Sequence, residues 1–237
     1  MSTRYAIYFG PSKASPWWAF AAHWLGRNEF EDTPLSTPQT PQTPQTPQFA
    51  PDELHAVTAE PRRYGFHATL KAPFRLADTF GPEHLIQRVQ ALATTLAPIP
   101  LAPLQARSLG RFVALVPEHP PKDLATLAEA CVVQLDDLRA PLSEHDLARR
   151  QGAQLDAREL ALLHRYGYPH VLERFRFHLT LTGPVDQPTQ QRVMDAVRAQ
   201  VAHLNDTAPL VLDRLCIFME PTPGASFRRI TDVVLPA

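Results

Sequence analysis

The sequence lacks the features that mark several large classes of protein. Its 237 residues include only two cysteines, Cys131 and Cys216, which lie in apolar stretches without metal-ligand spacing. Two cysteines cannot form a disulfide framework for a chain of this length. No run of about 20 apolar residues occurs, and no apolar segment follows a basic start at the N-terminus. We therefore expect a cytoplasmic protein whose cysteines pack in the core.

The sequence also lacks an excess of charge of either sign. It has 23 basic and 24 acidic residues, which give a formal net charge of −1. Proteins that bind long nucleic acids normally carry a basic surface that neutralises phosphates. A composition of 44% hydrophobic and 20% charged residues is typical of a folded enzyme or binding domain. We expect a small phosphorylated sugar or nucleotide as substrate, and neither long nucleic acid nor membrane as a partner.

Proline, by contrast, is frequent, and much of the excess lies in one tract. The chain contains 25 prolines, and residues 37–48 repeat the triplet Thr-Pro-Gln four times. A proline at every third position excludes helix and central strand. We interpret residues 34–50 as a low-complexity loop insertion within a single bilobal domain that covers residues 1–237.

Outside this tract, apolar periodicity predicts a regular order of strands and helices. Predicted strands cover Arg4–Phe9, Arg62–Ala72, Leu101–Leu109, Arg111–Val116, Phe175–Leu181, Leu210–Met219 and Ser226–Leu235, and predicted helices cover Ser15–Leu25, Pro82–Leu96, Leu124–Leu138, Asp156–Gly167 and Pro188–Leu204. Both halves contain a motif strand, a helix and two further strands, which indicates a degenerate duplication. The predicted fold class is α+β, with two pseudo-symmetric lobes, each an antiparallel sheet with flanking helices, around a central cleft.

A repeated pentapeptide marks the two motif strands. Residues 66–70 read FHATL and residues 177–181 read FHLTL. Because side chains alternate along a strand, His and Thr share one face of each strand, while Phe and Leu share the other. If the apolar faces pack inside the lobes, both His-Thr faces are free to line one cleft.

Two imidazoles and two hydroxyls in one cleft suit acid-base chemistry on a phosphate ester. A neutral histidine can accept a proton while a protonated one delivers a proton to the leaving oxygen. Each threonine hydroxyl can donate a hydrogen bond to a phosphoryl oxygen. This chemistry requires no metal and no cofactor.

The same residues carry a resemblance to a known family. FHATL and FHLTL in a duplicated α+β chain resemble the two-histidine (2H) phosphoesterase superfamily, and RYAIYFGP, WLGR, RYGFHATLKAPF and RFHLTLTGPV resemble its bacterial phosphonate metabolism protein branch. The resemblance implies a LigT-like fold, His67 and His178 as catalytic residues, and Thr69 and Thr180 as phosphate-binding residues. It also implies a metal-independent cyclic phosphodiesterase, a phosphoric diester hydrolase, for which ribose 1,2-cyclic phosphate 5-phosphate is the expected substrate.

A substrate with a second phosphate requires a second anion site. Lys71, which the alternation places on the face of His67, is the first candidate, and Arg228 is the second. Tyr64 is a candidate for binding a sugar hydroxyl. Other basic residues near the motifs could replace any of these: Arg62, Arg63 and Arg176.

Three other interpretations remain open at this point. His67 and His178 could be metal ligands, although the chain has no H-x-x-x-H, H-x-E or C-x-x-C pattern to support them. The substrate could instead be an RNA end that carries a 2′,3′-cyclic phosphate. The cleft could also belong to a non-catalytic protein that binds a phosphorylated sugar or nucleotide. The sequence does not decide which histidine acts as acid, the regiochemistry of the product, or the oligomeric state.

Overall fold

A computed structural model of the chain describes residues 3–31, 33–34, 49–101, 103–151 and 155–236. The Thr-Pro-Gln tract at residues 37–48, which makes up most of the predicted loop insertion, lies outside the described residues. The interpretation of residues 34–50 as an insertion therefore stays a prediction.

The described residues form strands and helices in alternation. The strands are β1 (Arg4–Phe9), β2 (Arg27–Asn28), β3 (Thr33–Pro34), β4 (Ala68–Phe74), β5 (Ile99–Pro100), β6 (Leu104–Leu109), β7 (Phe112–Pro117), β8 (Leu179–Thr180), β9 (Val211–Leu212), β10 (Arg214–Glu220) and β11 (Arg228–Val234). The helices are α1 (Pro16–Leu25), α2 (Pro51–Val57), α3 (Ala59–Arg62), α4 (Pro82–Ala93), α5 (Asp123–Gln134), α6 (Glu144–Gln151), α7 (Ala157–Tyr166) and α8 (Gln187–Thr207). Two 3₁₀ turns cover Asp136–Leu138 and Leu172–Arg174.

Capping residues set the ends of two helices where the sequence predicts them. Ser15 accepts a hydrogen bond from the Trp17 amide at the start of α1, and Gly26 ends that helix in the left-handed region at φ 64°. Asp156 and Glu159 form a reciprocal capping box at the start of α7. These local boundaries are confirmed.

Both motif strands are shorter than predicted. The predicted strand from Arg62 begins only at Ala68, because α3 and a turn precede it, and the predicted strand from Phe175 begins only at Leu179, after a 3₁₀ turn. Each histidine of the repeated motif is therefore the residue just before its strand.

Two antiparallel sheets carry the fold. One has the strand order β11-β10-β1-β4 and the other the order β6-β7-β8, while β2 pairs with β3 and β5 with β9. Helix α8 packs on β6 and β7, α5 packs on β4, and α4 packs on β10 and β11. The prediction of an α+β protein with antiparallel sheets and flanking helices is confirmed.

The strand partners differ from those expected of two self-contained lobes. The hairpin β6–β7 of the first half pairs with β8 of the second half, and β10–β11 of the second half joins β1 and β4 of the first. Each sheet therefore combines both halves of the sequence. Local periodicity could not predict this exchange, because the choice of a strand's neighbour depends on packing across the whole molecule.

The core lies between the sheets and their helices. The apolar stripes predicted for α4 and α8 are buried, with Leu85, Val89 and Leu92 on α4 and Val193 and Val197 on α8 at most 3% exposed. Burial of such side chains contributes about 1.5–3 kcal/mol each. Both cysteines are fully buried and unpaired, as predicted.

None of the helices in the described part of the chain is both long and apolar enough to cross a membrane.

Candidate functional site

Each His-x-Thr segment is held in place by the burial of the apolar residues that alternate with its His and Thr. Phe66, Ala68 and Leu70 are each at most 2% exposed, and Phe177, Leu179 and Leu181 are each at most 7% exposed. The histidines and threonines are half-buried, on the opposite side of each segment. This is the alternation that the sequence predicts, and it leaves the polar side chains available to a ligand.

His67 is held by a backbone hydrogen bond and by an aromatic neighbour. Its Nδ1 lies 2.9 Å from the carbonyl oxygen of Gly65, and its ring lies 4.0 Å from the ring of Tyr8, centroid to centroid. A carbonyl oxygen can only accept, so Nδ1 carries the proton and donates it. The other ring nitrogen, Nε2, is then a free acceptor when the imidazole is neutral.

His178 is held in the same way. Its Nδ1 donates to the carbonyl oxygen of Arg176 at 2.8 Å, and its ring lies 5.8 Å from that of Phe112. In both motifs the acceptor is the carbonyl two residues before the histidine. The two imidazoles therefore have the same tautomer.

Both imidazoles are neutral at pH 7. Burial lowers the pKa of His67 to about 4, against the opposing effect of the hydrogen bond to Gly65, and repulsion from His178 in its protonated form adds a smaller contribution. Burial also lowers the pKa of His178, and His170 adds to the shift. The sequence-based expectation that one histidine is protonated near neutral pH does not hold for the ligand-free cleft, although a bound anion would raise both pKa values.

One cleft of about 450 Å³ contains both motifs. It is lined by Arg4, Tyr8, Glu60, Pro61, Arg63, Tyr64, His67, Thr69, Ala72, Pro73, Phe112, Arg150, Tyr168, His178, Thr180, Thr182 and Pro184. This volume lies in the range of small-molecule sites. Within the described residues, the hydroxyls of Thr69 and Thr180 have no intramolecular hydrogen-bond partner, so both are available to a ligand.

Lys71 does not share the face of His67, which corrects the prediction. Thr69 pairs with Tyr8 across β1 and β4, but the next pair is Lys71 with Ile7. Here β4 advances two residues while β1 advances one, which is a β-bulge. The extra residue turns Lys71 away from the cleft and onto the side of Ile7, where α5 packs.

The amino group of Lys71 is occupied at that position. It donates to the carbonyl oxygen of Val132 at 2.9 Å and to the Asp136 carboxylate at 3.1 Å. The residue is 3% exposed, and burial lowers the pKa of its amino group against the opposing effect of Asp136. Lys71 thus forms a buried structural ion pair with Asp136.

The other predicted ligand-binding residues divide between the cleft and its surroundings. Tyr64 lines the cleft, with its ring 5.6 Å from that of His67. Arg228 is exposed and lies outside the cleft, because it begins the edge strand β11. Arg62 donates a hydrogen bond to the carbonyl oxygen of Leu25 at the end of α1 and does not line the cleft. Arg176 is exposed and does not line the cleft either.

Sequence reasoning missed two cleft residues on β1 and two in the segment around α6 and α7. Arg4 and Tyr8 lie on β1, and Arg150 and Tyr168 lie on either side of α7. Period-2 alternation places Arg4 and Tyr8 on one face of β1, so that signal was present in the sequence. It becomes informative only once β1 is known to pair with β4. No pattern in the sequence indicates Arg150 or Tyr168.

In the part of the chain that the structure describes, no group of three or more His, Cys, Asp or Glu side chains is arranged to hold a metal ion.

Comparison with known proteins identifies the family. A family model described as a protein of unknown function (DUF1045) matches residues 69–228. The chain belongs to the DUF1045 family. The match begins at Thr69 and extends beyond Thr180, so it includes both threonines of the cleft.

Two relatives of this DUF1045 protein carry the same name, ribose 1,5-bisphosphate phosphokinase PhnN. The relative from Janthinobacterium sp. (strain Marseille) is 41% identical over 228 residues, which are 95% of this chain and 49% of the relative. The relative from Laribacter hongkongensis (strain HLHK9) is 34% identical over 225 residues, which are 95% of this chain and 50% of the relative. The chain spans about half the length of the curated relatives it matches.

These names correct the functional prediction. A phosphoric diester hydrolase was expected, acting on a cyclic phosphate of ribose or of an RNA end, but both relatives are named as a phosphokinase. The hydrolase prediction is therefore wrong. A phosphokinase transfers a phosphoryl group to an acceptor, so the chemistry attributed to the two histidines has to be reconsidered.

The lysines of this DUF1045 protein exclude one common phosphate-binding sequence. The three lysines follow Ser12, Leu70 and Pro121, so the sequence contains no Gly-Lys pair and hence no G-x-x-x-x-G-K-[ST] loop.

Proposed function

We propose that this chain binds a phosphorylated ribose in the His67–His178 cleft, and that it serves the phosphorylation of ribose 1,5-bisphosphate in phosphonate metabolism. The observation that carries the proposal is the convergence of two His-x-Thr segments on one cleft of about 450 Å³, with threonine hydroxyls that have no hydrogen-bond partner in the part of the chain that the structure describes. The name shared by the two relatives supplies the sugar and the type of reaction.

The polar groups of the cleft match the two kinds of oxygen on a sugar phosphate. The Thr69 and Thr180 hydroxyls can donate hydrogen bonds to phosphoryl oxygens. The Nε2 atoms of His67 and His178 can accept hydrogen bonds from ribose hydroxyls while the imidazoles are neutral. Donors for the phosphate and acceptors for the sugar therefore lie side by side.

The same contacts suit a phosphoryl acceptor. A ribose hydroxyl that donates to an imidazole Nε2 is also positioned to transfer its proton to that nitrogen while its oxygen bonds to the terminal phosphorus of a nucleoside triphosphate. The bond from that phosphorus to its bridging oxygen breaks, and the nucleoside diphosphate leaves. The low pKa of His67, about 4, keeps this nitrogen unprotonated at neutral pH.

We further propose that the fold is that of the two-histidine phosphoesterases, used here to bind a sugar phosphate. The duplicated motif and the two antiparallel sheets support this relationship. A solved structure of a DUF1045 protein, superposed on a two-histidine phosphoesterase, would test it, and sheets that do not superpose would contradict it.

The binding proposal is tested by calorimetric titration with ribose 1,5-bisphosphate. Thr69→Val and Thr180→Val each remove one donor to a charged phosphate, so each is expected to weaken binding about tenfold or more. The matched control is Thr126→Val, because Thr126 is exposed on α5 and outside the cleft. The proposal fails if the wild type does not bind the sugar at millimolar concentration, or if Thr126→Val weakens binding as much as the cleft variants.

A further inference from the structure

A buried carboxylate anchors two arginines at one side of the cleft. Glu220 is 0% exposed and accepts hydrogen bonds from Arg4 Nε, from a terminal nitrogen of Arg63, and from the Gly224 amide at 3.0 Å. Burial acts to raise the pKa of this carboxyl, but the hydrogen bond from Arg4 and the other donors outweigh it and lower the pKa. Glu220 is therefore ionised at neutral pH, and it holds both guanidinium groups in place.

The two arginines keep donors that the described residues do not use. Arg4 uses only Nε, so both of its terminal nitrogens lack an acceptor within the described part of the chain. Arg63 uses Nε on the Ala225 carbonyl oxygen and Nη2 on Glu220, which leaves Nη1. Both side chains line the cleft, and they are 17% and 31% exposed. A guanidinium with spare N–H groups in a concave site is a typical phosphate ligand.

The charges of this group do not balance. Within ion-pair distance the two guanidinium groups have one carboxylate, Glu220, while Asp146 acts on Arg4 from farther away. Among the residues that line the cleft there are three arginines and one acidic residue, Glu60. An anion in the cleft would compensate the remaining charge.

Tyr64 contacts both this group and the histidine motif. Its ring centroid lies 5.3 Å from the Arg63 guanidinium carbon and 5.6 Å from the centroid of the His67 ring. The ring of Tyr8 also contacts His67, in a tilted arrangement; Tyr8 is 1% exposed and has no hydrogen-bond partner for its hydroxyl among the described residues. Arg63 and His67 thus lie beside the same tyrosine ring, so an anion at Arg63 would occupy the same cleft as an anion at His67.

We propose that Arg4 and Arg63, positioned by Glu220, form a second phosphate subsite of the cleft, specific for the far phosphate of a ribose bisphosphate. The proposal rests on the proposed function, because it takes the first phosphate to lie at the His-x-Thr motifs. The subsite makes this cleft select a bisphosphate over a monophosphate.

The test is the ratio of two dissociation constants, for ribose 5-phosphate and for ribose 1,5-bisphosphate, measured by calorimetry on the full chain. The wild type is expected to bind the bisphosphate at least tenfold more tightly. Arg63→Gln is expected to bring the ratio close to one, whereas Thr69→Val is expected to weaken the binding of both ligands. The matched control is Arg107→Gln, because Arg107 is exposed on β6 and outside the cleft.

Because Arg63→Gln leaves a buried carboxylate short of a partner, a second variant keeps the test decisive. Arg63→Gln combined with Glu220→Gln removes the carboxylate together with its lost partner and keeps the net charge of the group as in the wild type. It is compared with Glu220→Gln alone at equal folded fraction. A lower ratio in the double variant supports the subsite. A ratio unchanged by loss of Arg63 overturns the subsite alone, while failure of the wild type to bind either sugar phosphate overturns the proposed function and the subsite together.

Discussion

The two motif histidines are alike in their hydrogen bonding and differ in their surroundings. Each Nδ1 donates to a backbone carbonyl, at Gly65 and at Arg176, so each ring presents Nε2 to the cleft. The ring of His67 is packed against Tyr8, and burial lowers its pKa to about 4. His67 is therefore a neutral hydrogen-bond acceptor over the whole physiological range of pH.

The pKa of His67 predicts how stability depends on pH. Unfolded His67 has a pKa of about 6.5, so between pH 6.5 and pH 4 the unfolded chain binds a proton that the folded chain does not. The free energy of unfolding should therefore fall as pH falls through this window, by about 3 kcal/mol for this residue. Urea denaturation at several pH values measures it.

His67→Gln should flatten this pH dependence, and His203→Gln on the exposed face of α8 is the control. An unfolding free energy whose slope with pH is the same in the wild type and in His67→Gln would contradict the pKa assigned to His67.

Residue-scale prediction from the sequence succeeded where it needed only alternation. The His and Thr of each motif lie opposite buried Phe and Leu because a period of two is a local property of an extended chain. The same rule misplaced Lys71, because the β-bulge in β4 adds one residue. A single sequence gives no signal for such a bulge.

At the scale of elements, the turn before β4 positions the first motif. Gly65 has φ +78°, and a Cβ on it would lie 2.9 Å from the Cβ of Glu29. Its carbonyl oxygen is also the acceptor for His67 Nδ1. The turn thus needs glycine for its backbone conformation and for the close approach of Glu29.

Gly65→Ala is expected to destabilise the protein more than Gly110→Ala. Both glycines have a left-handed φ, but a Cβ at Gly110 meets nothing within 4 Å, so that substitution costs only about 1 kcal/mol of conformational strain. At Gly65 the crowding adds to this cost, and we expect about 2–3 kcal/mol in total. Urea denaturation of both variants measures the difference, and equal losses would contradict the steric argument.

The sequence predicted elements better than it predicted their partners. Helices α1 and α7 begin and end at capping residues that can be read directly from Ser15, Gly26 and Asp156. The short motif strands could not be predicted, because the 3₁₀ turn before His178 and the helix before His67 have no distinctive periodicity.

At the scale of the whole molecule, the two halves are joined by exchanged strands. The β1–β4 pair of the first half is completed by β10–β11, and β8 of the second half depends on the hairpin β6–β7. The cleft therefore has walls built from both halves. The duplication predicted from the sequence describes the order of elements, but it does not divide the molecule into independent units.

This exchange predicts how fragments behave. A chain cut between Pro120 and Pro121, in the loop after β7, gives two pieces that each lack strands of both sheets. Neither fragment alone should show a cooperative thermal transition, whereas an equimolar mixture should recover one. Circular dichroism and calorimetry measure this, and the intact chain cleaved at the same bond after folding is the control. Cooperative unfolding of fragment 1–120 alone would contradict the expectation.

The position of β1 in its sheet has a consequence for synthesis on the ribosome. Arg4 of β1 pairs with Glu220 of β10, and 216 positions separate them. The edge of β1 that pairs with β10 therefore stays unpaired while the intervening chain is translated. An exposed strand edge can pair with other chains. Contacts this distant in sequence also slow folding. The nascent protein is accordingly expected to need chaperones until β10 emerges.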